Sequence, residues 1–223
     1  MRHRSPTSVH LSSLVAIAIV LACVASMTAA PQPPASDAAW RPLFDGRTLT
    51  NWRSTNFGGE GNLKVEDGQI VLYTGGGDLT GITWARAPLP KTNYELALQA
   101  MRVEGNDFFA GVTFPVADSF CSLILGGWGG TVVGLSSING RDASENDTTQ
   151  SIAFERRRWY DVRIRVTPAK IEAWLDGRQI IDQDITGKQV STRVEVDASQ
   201  PLGIAAWRTK AAVRDIRVRP LSQ

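Results

Sequence analysis

The sequence predicts an all-β fold, with two antiparallel sheets stacked as a jelly-roll sandwich. Three observations carry this reading. Short runs alternate apolar and polar residues: Tyr160, Val162, Ile164 and Val166 interleave with Asp161, Arg163 and Arg165. Asp-Gly and other glycine turns recur between the runs at the spacing of a sandwich or barrel. No helix-length stretch keeps a clean helical period with caps. The 223 residues suit one domain of roughly 200 residues.

Taken in order, the chain opens on Arg2, His3, Arg4 and His10, followed by an uncharged run over residues 11–30. A basic start, an apolar middle and a small-residue end read as an export signal over residues 1–30. A membrane anchor is the alternative. It is disfavoured because the strongly apolar stretch 14–24 is short of the ~20 residues a span needs, and Pro31, Pro33 and Pro34 follow. Val20-Leu21-Ala22-Cys23 has the form of a lipobox, which would acylate Cys23; the other option is cleavage near Ala29 or Ala30. The expected location is outside the cytoplasm: periplasmic, secreted or lipid-anchored to a bacterial envelope.

Residues 31–39 form a Pro/Ala linker, and one domain runs over 40–223. Leu63–Glu66 and Gln69–Tyr73 flank Asp67-Gly68, a hairpin turn pair. Further strands are expected at 94–103, 108–115, 120–125 and 131–135. The alternating strand near 160–166 is followed by 171–176. Asp176-Gly177 then turns the chain into 178–182, and strands at 202–207 and 213–219 close the domain.

Loss of residues 1–30 removes Arg2, Arg4 and both histidines. The remainder has 22 Lys+Arg against 22 Asp+Glu, net charge zero and no histidine. Ser-His-Asp and Cys-His catalysis, the usual zinc sites and an imidazole base are thereby excluded. A neutral chain offers no basic stripe for nucleic acid. Cys121 has no partner for an intramolecular disulfide and is expected to be a buried, inert thiol. No motif calls for a cofactor or a metal: the calcium-loop spacing is missing from 136–149, and Gly75-Gly76-Gly77 lacks the rest of a phosphate loop.

Seven tryptophans supply the first candidates. Most are expected in the core. Trp174 is the odd one, on the polar face of its strand between Glu172 and Asp176. Trp128, inside Gly126-Gly127-Trp128-Gly129-Gly130, has little local cover and can offer its ring to the apolar face of a sugar. The segment 136–149 is rich in amides, hydroxyls and carboxylates, the groups that bond sugar hydroxyls; Asn139, Glu145 and Asn146 are its candidate ligands. A solvated loop is the plainer account. Asn106 and Asp107 stand before the apolar run 108–114, where a carboxylate can act as acid or base; a turn-forming Asn-Asp pair is the alternative. Trp207 and Arg208 lie at the end of a late strand.

These elements together resemble a known family. Leu43-Phe44-Asp45-Gly46-Arg47-Thr48-Leu49, ending at Trp52, is similar to the opening motif of the 3-keto-disaccharide hydrolase family. Val65-Glu66-Asp67-Gly68, Asn93-Tyr94-Glu95-Leu96, Gly105-Asn106-Asp107, Trp174-Leu175-Asp176-Gly177 and Pro201-Leu202-Gly203-Ile204 continue the likeness over most of 40–221. The resemblance implies a concanavalin A-like jelly roll acting on a glycan or small oxidised sugar. In such a sugar a ketone at C3 acidifies the C2 proton, so that a base can expel the C1 substituent. Three family positions differ: Thr113-Phe114-Pro115 replaces a segment with arginine, residues 119–125 lack the usual carboxylates, and Trp207-Arg208-Thr209-Lys210 stands where a histidine is common.

Two readings follow. In the first, the protein cleaves 3-keto-glycosides, with Asp107 or Asp142 as base, Arg141 or Arg208 as oxyanion partner and Trp128 as stacking platform. In the second, it is a non-catalytic sugar-binding module using Trp128, Asn139, Arg141, Asp142 and Asn146. A purely structural sandwich at the envelope is a third.

Overall fold

The computed structural model describes Met1 and residues 39–86 and 88–221. The export signal, the Cys23 lipobox and almost all of the linker fall outside the described residues. Among the described residues there are fifteen strands and one 3₁₀ turn. In chain order they are β1 (Arg41–Pro42), β2 (Trp52–Ser54), β3 (Leu63–Glu66), β4 (Gln69–Leu72), β5 (Leu79–Trp84), β6 (Tyr94–Glu104), β7 (Ala110–Val116) and β8 (Ser119–Gly127). After them come β9 (Val132–Ser136), β10 (Gln150–Ser151), β11 (Trp159–Val166), β12 (Lys170–Leu175), β13 (Arg178–Asp184), the 3₁₀ turn (Val194–Ser199), β14 (Gly203–Trp207) and β15 (Lys210–Pro220).

The strands form two antiparallel sheets, as expected. Sheet A runs β13-β12-β11-β6-β15-β4-β3, with β1 added beside β15; sheet B runs β10-β9-β8-β7-β14-β5-β2. Both Asp-Gly pairs form the expected hairpins. Asp67 and Gly68 take positive φ between Glu66 and its partner Gln69, and Asp176 and Gly177 do the same between Leu175 and Arg178.

The core lies between the sheets. On β11, Tyr160, Val162, Ile164 and Val166 are buried while Asp161 is exposed, so sheet A keeps one face for solvent. Trp52 and Trp84 meet edge to face at 5.3 Å inside the core, and the Trp52 indole donates to the Leu43 carbonyl. Cys121 is buried and free, and burial pushes its thiol up to about 12.

Sheet B differs. All residues of β5 and β7 are buried, on both faces. Its outer face is built from small residues, among them Gly81, Ala205, Gly111 and Gly134, and from hydroxyls. Thr55 bonds Thr83 at 2.7 Å, and Thr113 bonds Ser122 at 2.8 Å, beside the cross-strand neighbour Ser136. Over this face lies a second apolar cluster of Leu79, Phe108, Ile124, Ala143, Val196 and Ala205. The chain around 142–147 and the 3₁₀ turn supply its cover. Strand β5 and this turn do not stand out in the sequence: Thr80, Gly81 and Thr83 interrupt the apolar run of β5, and Val194-Glu195-Val196 mimics strand alternation.

Candidate functional site

A cavity of about 260 Å³ opens on the outer face of sheet B. Asp107 and Phe108 come from the β6–β7 connection, Ile124 from β8, and Trp128 from the β8–β9 turn. Ser136 comes from the end of β9, Arg193, Glu195 and Val196 from the 3₁₀ segment, and Trp207 from the end of β14.

The Trp128 turn has an unusual anchor. Arg102, on β6, is only 5% exposed. Its Nη2 donates to the carbonyls of Gly130 at 2.8 Å and of Gly126 and Asp107 at 3.2 Å. The guanidinium lies 5.2 Å from the Phe109 ring centroid and 5.8 Å from that of Phe154. Burial lowers its pKa. This contact explains the glycines. A Cβ on Gly126, whose φ is +78°, would sit 2.3 Å from Arg102 Nη2, and one on Gly130 would sit 2.8 Å from the Asn106 carbonyl. The turn therefore lets protein groups come close to the backbone. Trp128 itself takes φ 47° and is 43% exposed, the most exposed tryptophan in the domain core region.

Asp107 is held from three sides. Its N–H donates to Thr209 Oγ1 at 3.1 Å, Oδ1 accepts from the Phe108 N–H at 2.7 Å, and Oδ2 accepts from the Gly129 N–H at 3.4 Å. The carboxylate is thus tied to the Trp128 turn. Phe108 and Trp207 face each other at 6.3 Å, and the Trp207 N–H donates to the Phe108 carbonyl.

The cationic group of the cavity is Arg193. It donates to Glu195 through Nη2 at 2.7 Å and Nε at 3.2 Å, and through Nη1 to Asp142 Oδ2. The hydrogen bond with Glu195 raises the Arg193 pKa, and the same bond lowers that of Glu195. Arg193 Cζ lies 6.0 Å from the Trp128 ring centroid. Ser136 lines the cavity at 1% exposure, and its Oγ has no hydrogen-bond partner among the described residues. A buried hydroxyl in this state needs a polar partner from a ligand or water.

Of the residues proposed from sequence, Asp107, Trp128 and Trp207 line this cavity together. Asp142 sits behind it, accepting from Ser144 and from Arg193. Asn146 uses its amide to cap carbonyls of Leu135, Arg141 and Asp142, and its Oδ1 accepts from Thr148. Asn139 Oδ1 accepts from the Gln189 N–H. Asn146 thus spends its polar atoms on the protein itself, and Asn139 its Oδ1. Arg208 pairs with Asp78 beside Trp207 and is not part of the lining. Asn106, Arg141 and Glu145 are exposed, and none of them lines the cavity.

Sequence reasoning missed Arg193 and Glu195, and did not single out Ser136 at the head of the 136–149 segment. No local motif marks them. Long-range pairing brings them in: the backbones of Ser137 and Ser191 exchange hydrogen bonds at 2.5 and 3.1 Å, which lays the 190s segment beside the end of β9. Among the described residues, no group of three or more His, Cys, Asp or Glu converges as a metal site, and no helix is long and apolar enough to cross a membrane.

The protein is a jelly-roll sandwich with an aromatic, carboxylate-bearing cavity on one sheet face. The chain belongs to the family of 3-keto-alpha-glucoside-1,2-lyase-like domains, whose model matches residues 39–219. No curated protein matches the chain at a significant level. Among solved structures it is similar to a galectin-like protein of unknown function from Bacillus subtilis, at 10% identity and TM-score 0.57, over 84% of this chain and 97% of that one. It is also similar to carbohydrate-binding module CBM66 from Bacillus subtilis, at 12% identity and TM-score 0.51, over 76% of this chain and 95% of that one. The Crh5 transglycosylase in complex with NAG aligns at 11% identity and TM-score 0.55, over 84% of this chain and 86% of that one. At these identities the likeness shows the fold alone.

Proposed function

We propose that the protein cleaves 3-keto-glucosides in the cavity of sheet B. The observation that supports this best is one space of about 260 Å³ shared by an aromatic shelf, a carboxylate and a guanidinium: Trp128, Asp107 and Arg193. That volume lies just below the roughly 300–1,000 Å³ of typical small-molecule pockets, the scale of a single sugar ring. Asp107 takes the proton from C2. The electron pair forms the C1–C2 double bond as the C1–O bond breaks, and the departing alkoxide takes up a proton. Arg193 stabilises the charge that develops on the C3 oxygen. Water added across the new double bond completes hydrolysis. Trp128 holds the apolar face of the ring, and Ser136 Oγ bonds a sugar hydroxyl.

The test is release of 4-nitrophenol from 4-nitrophenyl 3-keto-α-glucoside by the purified protein. Turnover is expected, with kcat lowered about 10²–10⁴-fold in Asp107→Asn, the scale of a general base. No turnover overturns the enzyme reading. A second reading, a sugar-binding module, draws on the 43% exposure of Trp128. It predicts glycan quenching of tryptophan fluorescence, lost in Trp128→Ala, without turnover. The finer location reading is export through residues 1–30, with Cys23 as lipid anchor; unchanged membrane fractionation of Cys23→Ala refutes the anchor.

A further inference from the structure

On the opposite side of the sandwich, the outer face of sheet A carries a groove of about 360 Å³ between Trp174 and Trp40. Its floor is Ala97, the small residue that separates Arg163 on β11 from Arg217 on β15 in one cross-strand row. Trp174, the tryptophan that the sequence placed on a polar face, lies on one bank. Trp40, just before β1, lies on the other. From β12 to β1 is four strand intervals, or about 19 Å at the usual strand spacing.

A single buried carboxylate holds both banks. Glu95, 0% exposed, accepts from Arg163 at 2.6 Å, Arg165 at 2.9 Å and Arg219 at 2.6 and 2.8 Å. Arg163 Cζ then lies 3.7 Å from the Trp174 ring centroid, and Arg219 Cζ lies 4.6 Å from that of Trp40. Each indole is fixed by a guanidinium that is itself fixed by Glu95. Immobilising groups before binding lowers the entropy cost of binding. Planar carboxylates border the groove, Asp215 and Asp161; Oδ1 of Asp161 accepts from Gln99 at 2.6 Å, and the Gln99 amide, also accepting from Arg214 at 2.6 Å, holds that carboxylate in place. The lining charges, Arg163 and Arg217 against Asp161 and Asp215, balance.

We infer that this groove is a second, non-catalytic site for a neutral oligosaccharide chain. Two held tryptophans offer apolar stacking faces, the planar polar groups offer bonds to hydroxyls, and the charge balance favours a neutral chain over a polyanion.

Titration calorimetry of the full-length protein tests the inference, with maltohexaose and isomaltohexaose as neutral probes and a galacturonate hexamer as the anionic one. At least one neutral probe is expected to bind. Trp174→Ala and Trp40→Ala should each weaken it about tenfold or more, the size of a hot-spot aromatic. Trp128→Ala should leave it unchanged. Should the tryptophan variants fail to fold, Arg217→Gln at the exposed rim is expected to weaken binding and Trp174→Phe to keep part of it. No binding of either neutral probe, tighter binding of the anionic one, loss in Trp128→Ala, or no effect of Arg217→Gln overturns the groove. The groove variants are expected to leave nitrophenol release unchanged, so the groove and the cavity stand or fall separately.

Discussion

The outer face of sheet B presents glycine, alanine and hydroxyls, and the chain folds the 142–147 and 190s segments over it. The outer face of sheet A presents arginines, carboxylates and tryptophans and stays open. Small side chains leave apolar area and backbone that must be covered, and the cover borders the cavity. Long charged side chains shield their own sheet and leave a shallow groove. The same sandwich thus carries a cavity beneath added chain on one face and a groove among the sheet's own long side chains on the other.

The strongest way to break this comparison is to remove the carboxylate beneath sheet A. Glu95→Ala removes the carboxylate that three guanidiniums share, leaving Glu172 beside Arg165, and should cost about 3–5 kcal/mol in denaturant unfolding. A loss under ~1 kcal/mol would show that the open face does not depend on Glu95. The same group sets an acid response. Burial alone would raise its pKa, but the hydrogen bonds from Arg219, Arg163 and Arg165 outweigh that and hold it below the ordinary 4.5. Its contribution is complete above that value and fades as the pH falls through the lower folded-state pKa. Glu95→Gln should flatten the loss of stability in that acid range, measured by unfolding midpoints.

On sheet B the corresponding cut is Arg102→Met, which strips the carbonyls of Gly126, Gly130 and Asp107 of their donor. About 2–3 kcal/mol of stability should go with it, along with ligand quenching of Trp128 fluorescence. Gly126→Ala is strained at φ +78° and also pushes the Arg102 guanidinium, 2.3 Å from the added Cβ, off its carbonyls; about 2 kcal/mol is expected by thermal unfolding. The smallest effect sharpens the comparison most. Trp128→Ala should change stability by no more than about 0.5 kcal/mol, yet abolish ligand quenching at the cavity while leaving binding in the groove intact.

Sheet A was the more legible in sequence. Its strands alternate, as at 160–166, because one face meets water, and Trp174 stands out on the polar side. Sheet B hides its pattern. Strand β5 is buried on both faces and carries Thr80, Gly81 and Thr83, so neither alternation nor a plain apolar run marks it. The cavity was half legible for a related reason. Trp128 and Asp107 announce themselves through neighbouring glycines and a strand junction. Arg193 and Ser136 meet only because distant backbones pair. Asn139 and Asn146 have the composition of ligands, but the fold uses them as braces.

Arg102 gives the two faces different tolerance to their surroundings. It grips backbone carbonyls, which have no proton to gain where carboxylates titrate, and a guanidinium keeps its own. Acid that loosens the carboxylate hub of sheet A therefore leaves the Arg102 bonds to the Trp128 turn in place. In an acidifying medium the Glu95 hub and the Arg193–Glu195 pair of the cavity would both slacken, while the guanidinium grip on the Trp128 turn would hold.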